Sequence, residues 1–283
     1  MKRYVMFSAL LTTLLLPSLA CKKSNPEVVA TKSNDVSSNP SPTPNFEAAL
    51  QEMVKQDQES IRQNPKEPAN YYNLANTYFT AGKYGEAIEQ YQQAIRLDPK
   101  DAAAHYELGQ CYLRLKRYDE AFAAFNESLK LNPKNANAYH EMGNAYSEQE
   151  RTKEAVAPYQ KAVSLKPDHA EAYFSLGNLY TKLNQTPEAV KAFQQATRHN
   201  PKDSDGFFNL GNSHSRLKQF DEAINAYKEA VKLKPDDAEA HLRLAVLYLE
   251  KGNREAATAE YNTLKGMNPQ LAQMLDEKLK QAK

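Results

Sequence analysis

The chain has no tryptophan, only two cysteines and nine glycines among 283 residues, and almost no net charge. Each shortage removes a class of function. Lys and Arg number 36 against 35 Asp and Glu, a balance of +1 that would fall to about −1 if Lys2 and Arg3 left with a leader. Nucleic-acid binding needs a basic stripe that displaces counterions, so this balance argues against it. No phosphate-cradling loop or nucleophile elbow appears. The six histidines (His105, His140, His169, His199, His214 and His241) are scattered without metal-ligand spacing. The sequence therefore offers no catalytic site, no metal site and no cofactor site. Cys111 falls on the apolar side of a helical pattern and reads as a small core residue. The one long apolar run, Tyr4 to Leu16, is too short to span a bilayer permanently.

What is present is repetition. From Pro68 the chain falls into six blocks of 34 residues, with alanine at Ala87, Ala121, Ala155, Ala189, Ala223 and Ala257. Proline keeps the same period at Pro65, Pro99, Pro133, Pro167, Pro201, Pro235 and Pro269. A period in this range signals a stacked array. In the block 102–135, Leu108, Gly109 and Tyr112 form one apolar stripe of helical spacing, and Ala121, Phe125, Ser128 and Leu131 form another. Each block is thus two short helices, with Gly109 and Ala121 small so that the helices can approach closely. The prolines follow second helices, which they cannot continue. Gly82 and Gly252 fall in turns between helices, and no period-two pattern suggests strands.

These residues resemble the tetratricopeptide repeat. In block 170–203 the resemblance is carried by Tyr173, Leu176, Gly177, Tyr180, Ala189, Phe193, Ala196 and Pro201. Departures are few: Ala75 and Ala245 stand for glycine, His214 for tyrosine, Ser128 and Leu264 for the second alanine. The resemblance implies an all-α, right-handed α-solenoid of six helix-turn-helix units, 68–101, 102–135, 136–169, 170–203, 204–237 and 238–271. An N-terminal cap is expected over 46–67, with Phe46, Leu50, Met53, Val54 and Ile61 on one side. A C-terminal cap is expected from Gln270 through 272–283, with Leu271, Met274, Leu275 and Leu279 inward, since arrays need polar-backed ends.

Residues 1–20 read as a secretory leader, with Lys2 and Arg3 before the apolar run and a small residue, Ala20, before Cys21. The pattern resembles a bacterial lipoprotein leader, which implies acylation of Cys21, although Ser18 stands where that family prefers leucine. Ordinary cleavage at the same Ala20–Cys21 bond is the alternative. Acylation implies a membrane anchor, and Lys22 in place of aspartate implies the outer membrane, facing the periplasm. Residues 21–45, rich in Ser, Asn and Pro, read as a disordered tether whose roughly 24 residues reach at most about 70 Å.

In the resembled family the first helices line the concave face, so the repeat register lists that face in advance. One column is Tyr72, Tyr106, His140, Phe174, Phe208 and Leu242, and the next turn carries Asn76, Gln110, Asn144, Asn178, Asn212 and Val246. Between them stand Asn73, Glu107, Glu141, Ser175, Asn209 and Arg243. Rings beside amides suit an extended peptide, because an amide side chain matches a peptide group with a donor and an acceptor. The alternative is that the amides link neighbouring helices and the rings complete packing. Charge is graded, with Glu107, Glu141 and Glu148 in the middle units and Lys182, Arg216 and Arg243 later. Asn178, Asn209 and Arg243 occupy three places of the family's carboxylate clamp, but Phe174 and Glu239 hold its lysine places, which argues against a grip on a chain-terminal carboxylate. The expectation is a non-enzymatic scaffold for a protein or peptide partner, with no small-molecule substrate. The layout also resembles the pilotins that assist type IV pilus secretin assembly, the alternative reading.

Overall fold

A computed structural model describes residues 44–281, which form fourteen α-helices and no strand. The leader, Cys21 and all but the end of the proposed tether lie outside the described residues. The chain divides into a unit of residues 1–49 and a unit of residues 50–283, and the second carries the architecture.

The first helices of the six blocks are α2 (Pro68–Thr80), α4 (Ala102–Arg114), α6 (Ala136–Glu148), α8 (Ala170–Lys182), α10 (Ser204–Arg216) and α12 (Ala238–Glu250). The second helices are α3 (Tyr84–Leu97), α5 (Tyr118–Leu131), α7 (Thr152–Leu165), α9 (Thr186–His199), α11 (Phe220–Leu233) and α13 (Arg254–Met267). Before them runs α1 (Pro44–Gln63), beginning two residues ahead of the expected cap, and after them α14 (Pro269–Gln281). Each second helix packs on its own first helix, and the first five also pack on the next block's first helix, a place that α14 takes for α13. In addition α4 touches α6 and α8 touches α10, while no two second helices approach comparably. That asymmetry places the first helices on the inner side of an α-solenoid.

The hairpins close for a local reason. The fifteenth residue of every block adopts left-handed backbone: Gly82 and Gly252 at φ 72° and 73°, and Lys116, Glu150, Asn184 and Lys218 at 57–58°. Glycine takes this conformation freely, whereas the four other residues carry a steric penalty there. Four of the six first helices start on Asp or Asn caps: Asp101 accepts from the Ala103 and Ala104 amides, Asn135 from Ala138, Asp203 from Asp205, and Asp237 from Glu239 and Ala240, whereas α2 starts on Glu67 without a side-chain capping bond. At α8 the cap place holds His169, which makes no side-chain capping bond.

The core is built where helix meets helix. All six repeat alanines are 0 % exposed. The glycines, however, face aromatic rings rather than backbone: a Cβ on Gly109 would lie 2.6 Å from the Phe125 ring, on Gly143 2.7 Å from Tyr159, on Gly177 2.6 Å from Phe193 and on Gly211 2.8 Å from Tyr227. Ser128 keeps its alanine place by donating to the Ala102 carbonyl at 2.8 Å, and Leu264 fills its own at 0 % exposure. His214 pairs through Nδ1 with Gln219 Oε1 at 2.7 Å. Leu131 is 40 % exposed, so the inward residue of that turn is Leu129 instead.

Neighbouring blocks are tied by recurring polar bonds. Tyr71 donates its hydroxyl to the Pro65 carbonyl, and at the equivalent places His105 and His241 bond through Nε2 to the Pro99 and Pro235 carbonyls, all at 3.0–3.2 Å. Gln92 donates to the Tyr112 hydroxyl and Gln160 to that of Tyr180. At the N-terminal end Thr77 donates to Asp57 and Asn70 to the Ser60 carbonyl, which holds α1 to α2. Leu50, Val54 and Ile61 are partly buried there, but Met53 is 51 % exposed and does not face inward. At the other end α14 packs on α12 and α13 through Ala272, Leu275 and Leu279, with Leu271 partly buried. Met274 is 45 % exposed, because Ala272 occupies the inward place expected for it.

Candidate functional site

The first-helix surface divides into tied and untied groups. Every ring of the aromatic column leans on the large ring of its own second helix. Tyr72 meets Tyr91, Tyr106 meets Phe125, His140 meets Tyr159, Phe174 meets Phe193 and Phe208 meets Tyr227, with centroids 5.5–5.9 Å apart. These contacts are the packing alternative in action, since aromatic pairs at such spacing contribute about 0.5–1.5 kcal/mol beyond burial. Tyr72, Tyr106, Phe174 and Phe208 remain partly exposed, and His140 is buried.

The amide column alternates. Tyr91 donates its hydroxyl to Asn76 Oδ1 at 2.5 Å, Tyr159 to Asn144 Oδ1 at 2.6 Å and Tyr227 to Asn212 Oδ1 at 2.6 Å. Where phenylalanine replaces that tyrosine, the amide lacks this tie. Gln110, opposite Phe125, instead donates to Glu107, and Asn178, opposite Phe193, makes no side-chain hydrogen bond among the described residues. Three asparagines therefore serve the fold through their carbonyls. Asn144 also donates to Glu141 at 3.1 Å, whereas the whole amide of Asn178, which is partly exposed, keeps its donor and acceptor capacity. The sequence already held this signal, because Tyr91, Phe125, Tyr159, Phe193 and Tyr227 alternate fifteen residues after the amides.

Asn73 is exposed. Asn209 turns back to the Asp205 carbonyl at 2.9 Å, and Arg243 forms an ion pair with Glu239 at 2.7 Å. The clamp-like trio of Asn178, Asn209 and Arg243 is therefore not assembled as a carboxylate grip. Arg216 donates to Asn184, and Glu148 accepts from Tyr118.

The middle of the groove carries the strongest electrostatics. Glu107 has its carboxyl raised by burial, against the Gln110 hydrogen bond, and raised further by Glu141. At Glu141 burial works in the same upward direction, but the His140 imidazole and the Asn144 amide outweigh it and hold the carboxyl below its ordinary range. His140 and His169, 29 residues apart in sequence, meet with ring centroids 4.8 Å apart. Burial, then the neighbouring His140 and Lys166, lowers the pKa of His169. Cys111 is fully buried, and burial pushes its thiol up to about 12, with Glu107 adding to the effect. Such a thiol is packing material, not a nucleophile.

Comparison with known proteins agrees with this architecture. Tetratricopeptide-repeat models match residues 72–136, 124–157, 170–203, 192–225 and 238–271, and a further TPR-repeat model matches 143–184 and 216–252. No curated protein matches the chain. Among solved structures, YrrB, described as a TPR protein with an unusual peptide-binding site, is 26 % identical over 66 % of this chain and 96 % of its own, with a TM-score of 0.55. PilF of Pseudomonas aeruginosa is 20 % identical over 75 % and 97 %, with a TM-score of 0.60. PilW, described as a type IV pilus biogenesis factor, is 21 % identical over 74 % and 97 %, with a TM-score of 0.55. The last two likenesses concern the fold. Six blocks of one period, hairpins closed at one recurring turn and matches running from residue 72 to residue 271 make this chain a member of the tetratricopeptide-repeat family.

Proposed function

We propose that the chain is a non-enzymatic scaffold that binds an extended polypeptide along its first-helix groove. One observation carries the reading: the amide column recurs once per unit beside partly exposed rings, and its member Asn178 has no hydrogen-bond partner among the described residues. Asn178 with no partner, and Asn76 and Asn212 with carbonyls fixed by tyrosine, would meet peptide groups without rearrangement, while Asn144 is held by both Tyr159 and Glu141. YrrB's described peptide-binding site, on a similar fold, supports the same reading. The test is crosslinking in intact cells followed by mass spectrometry, comparing wild type with Asn178→Ala. Loss of one partner polypeptide in the variant is expected, while an unchanged partner set would refute a role for the column.

The location belongs to this proposal too. The leader and Cys21 support export and an acyl anchor in the outer membrane of a bacterial envelope, with the array facing the periplasm. Cys21→Ser should release the protein from membranes, and acyl label that persists in that variant would end the anchor. Likeness in fold to PilF and PilW favours a second reading, a pilotin-like aid to secretin assembly. Secretin multimers that form normally in a deletion strain would dismiss it.

A further inference from the structure

The junction of the third and fourth units breaks the repeat's own rules in one place. His140 stands where the other units carry Tyr, Phe or Leu, and His169 stands where the neighbouring units carry an Asp or Asn cap. Both residues are 8 % exposed, and Nε2 of each is buried without a hydrogen-bond partner. Local rules broken without compensation in the fold mark candidate functional sites. Both rings line a recess of about 410 Å³ on the first-helix side, with Tyr106, Glu141, Asp168 and Glu171.

The recess carries an excess of negative charge. Its wall holds three carboxylates against one ammonium, that of Lys166. Glu141 makes no ion pair with any lysine or arginine among the described residues, and Glu107 of the preceding unit adds repulsion. Arg114 acts on Glu141 from a distance without pairing. The Glu141 carboxylate lies 3.8 Å from His140 Nδ1, which favours the proton on that nitrogen and leaves Nε2 as an acceptor. The occupant should therefore carry positive charge and several donors. No three His, Cys, Asp or Glu side chains are grouped to hold a metal among the described residues, so an organic cation fits better than a metal ion.

We propose that this recess receives an arginine side chain of the bound polypeptide. The planar guanidinium offers five N–H donors, enough for Glu141 and the His140 Nε2 acceptor together, with His169 beside them, and the Tyr106 ring lines the same recess. The inference extends the groove reading by naming one residue of the partner, and it assigns the middle of the groove its polarity.

The test uses the full chain and three acetylated octapeptides of alanine and serine with one central residue: arginine, its uncharged isostere citrulline, or glutamate. Binding is followed by NMR at the histidine ring protons, which are few because the chain has six histidines. The arginine peptide should shift the His140 and His169 signals and bind at least tenfold tighter than the citrulline peptide. Glu141→Gln should remove that advantage. His169→Asn should restore the missing cap and raise the melting temperature, yet weaken the arginine peptide, two effects that a purely structural role would not separate. Equal binding of arginine and citrulline peptides, or preference for glutamate, overturns the proposal. If the crosslinked partner still binds Glu141→Gln and His169→Asn unchanged, the groove reading stands and the arginine subsite falls. If the arginine peptide binds as described while no polypeptide crosslinks to the groove, the subsite stands and the scaffold reading falls.

Discussion

Two glycine-to-alanine substitutions, chemically identical, should move stability in opposite directions. In α8 a Cβ on Gly177 would sit 2.6 Å from Phe193 Cε1 and 2.7 Å from Cδ1 and Cζ. Contact between carbon atoms is comfortable near about 3.5–4.0 Å, so the ring must withdraw by about 1 Å. Phe193 is 1 % exposed and has no open side to move into. Overpacking of this kind costs about 1–3 kcal/mol. Removing a helical glycine returns about 0.5–1 kcal/mol, so Gly177→Ala should be destabilising by up to about 2.5 kcal/mol, with about 1 kcal/mol at the centre of the range. Units one and six tolerate Ala75 and Ala245 at this place, which points to the lower half of that range. Gly85 in α3 is the control, because a Cβ there meets nothing within 4 Å. Gly85→Ala should stabilise by about 0.5–1 kcal/mol. Urea unfolding followed by far-ultraviolet circular dichroism reads both as midpoint shifts at unchanged slope. If Gly177→Ala proves as stable as Gly85→Ala, the ring-on-glycine account of the hairpin is wrong.

Four further expectations follow from the same geometry. Tyr159→Phe removes the hydroxyl that holds Asn144 and should cost about 0.5–1.5 kcal/mol in urea unfolding, without loss of helix, because Phe125 and Phe193 already fill that place elsewhere. Glu150→Gly relieves a residue held at φ 58° and should raise stability by about 0.5–1 kcal/mol, measured in the same way. Cys111 should resist a thiol-labelling reagent at neutral pH until the chain is unfolded, since burial holds its pKa at about 12. His169 has a folded pKa below its ordinary value, so its share of stability is present above about pH 6.5 and fades as pH falls through the lowered folded value. The wild-type melting temperature should therefore drop further between neutral and mildly acidic pH than that of His169→Asn.

The helices were legible in the sequence because their signals are local. Alanine and proline at one period, and apolar stripes of helical spacing, put hairpins where α2 to α13 form. Met53 and Met274 were misplaced because they lie in single helices with no sister unit to fix the register, so an apolar side chain could be counted inward when an alanine or a partly buried neighbour took the place. Leu131 misled for a related reason: the last turn of α5 opens toward solvent, and Leu129 is the residue that packs. At the site, the columns of Tyr72 and Asn76 could be listed from register alone. Their division into tied and untied members is carried in the sequence only by the Tyr/Phe alternation fifteen residues on, a signal that takes its meaning once the hairpin brings the hydroxyls of Tyr91, Tyr159 and Tyr227 to the amides. His140 and His169 looked scattered because the chain between them folds into a complete second helix, α7, before returning to the same place.

The central claim is that the first-helix face is the working surface. Photo-crosslinking side chains installed one at a time at Asn73, Asn178 and Arg243 on that face, and at Ala123 and Lys191 on second helices, would test it most directly. All five positions but Asn178 are exposed, and Asn178 is partly so. The account expects one polypeptide to be captured from the three first-helix positions and none from the other two. Capture confined to Ala123 and Lys191 would contradict it.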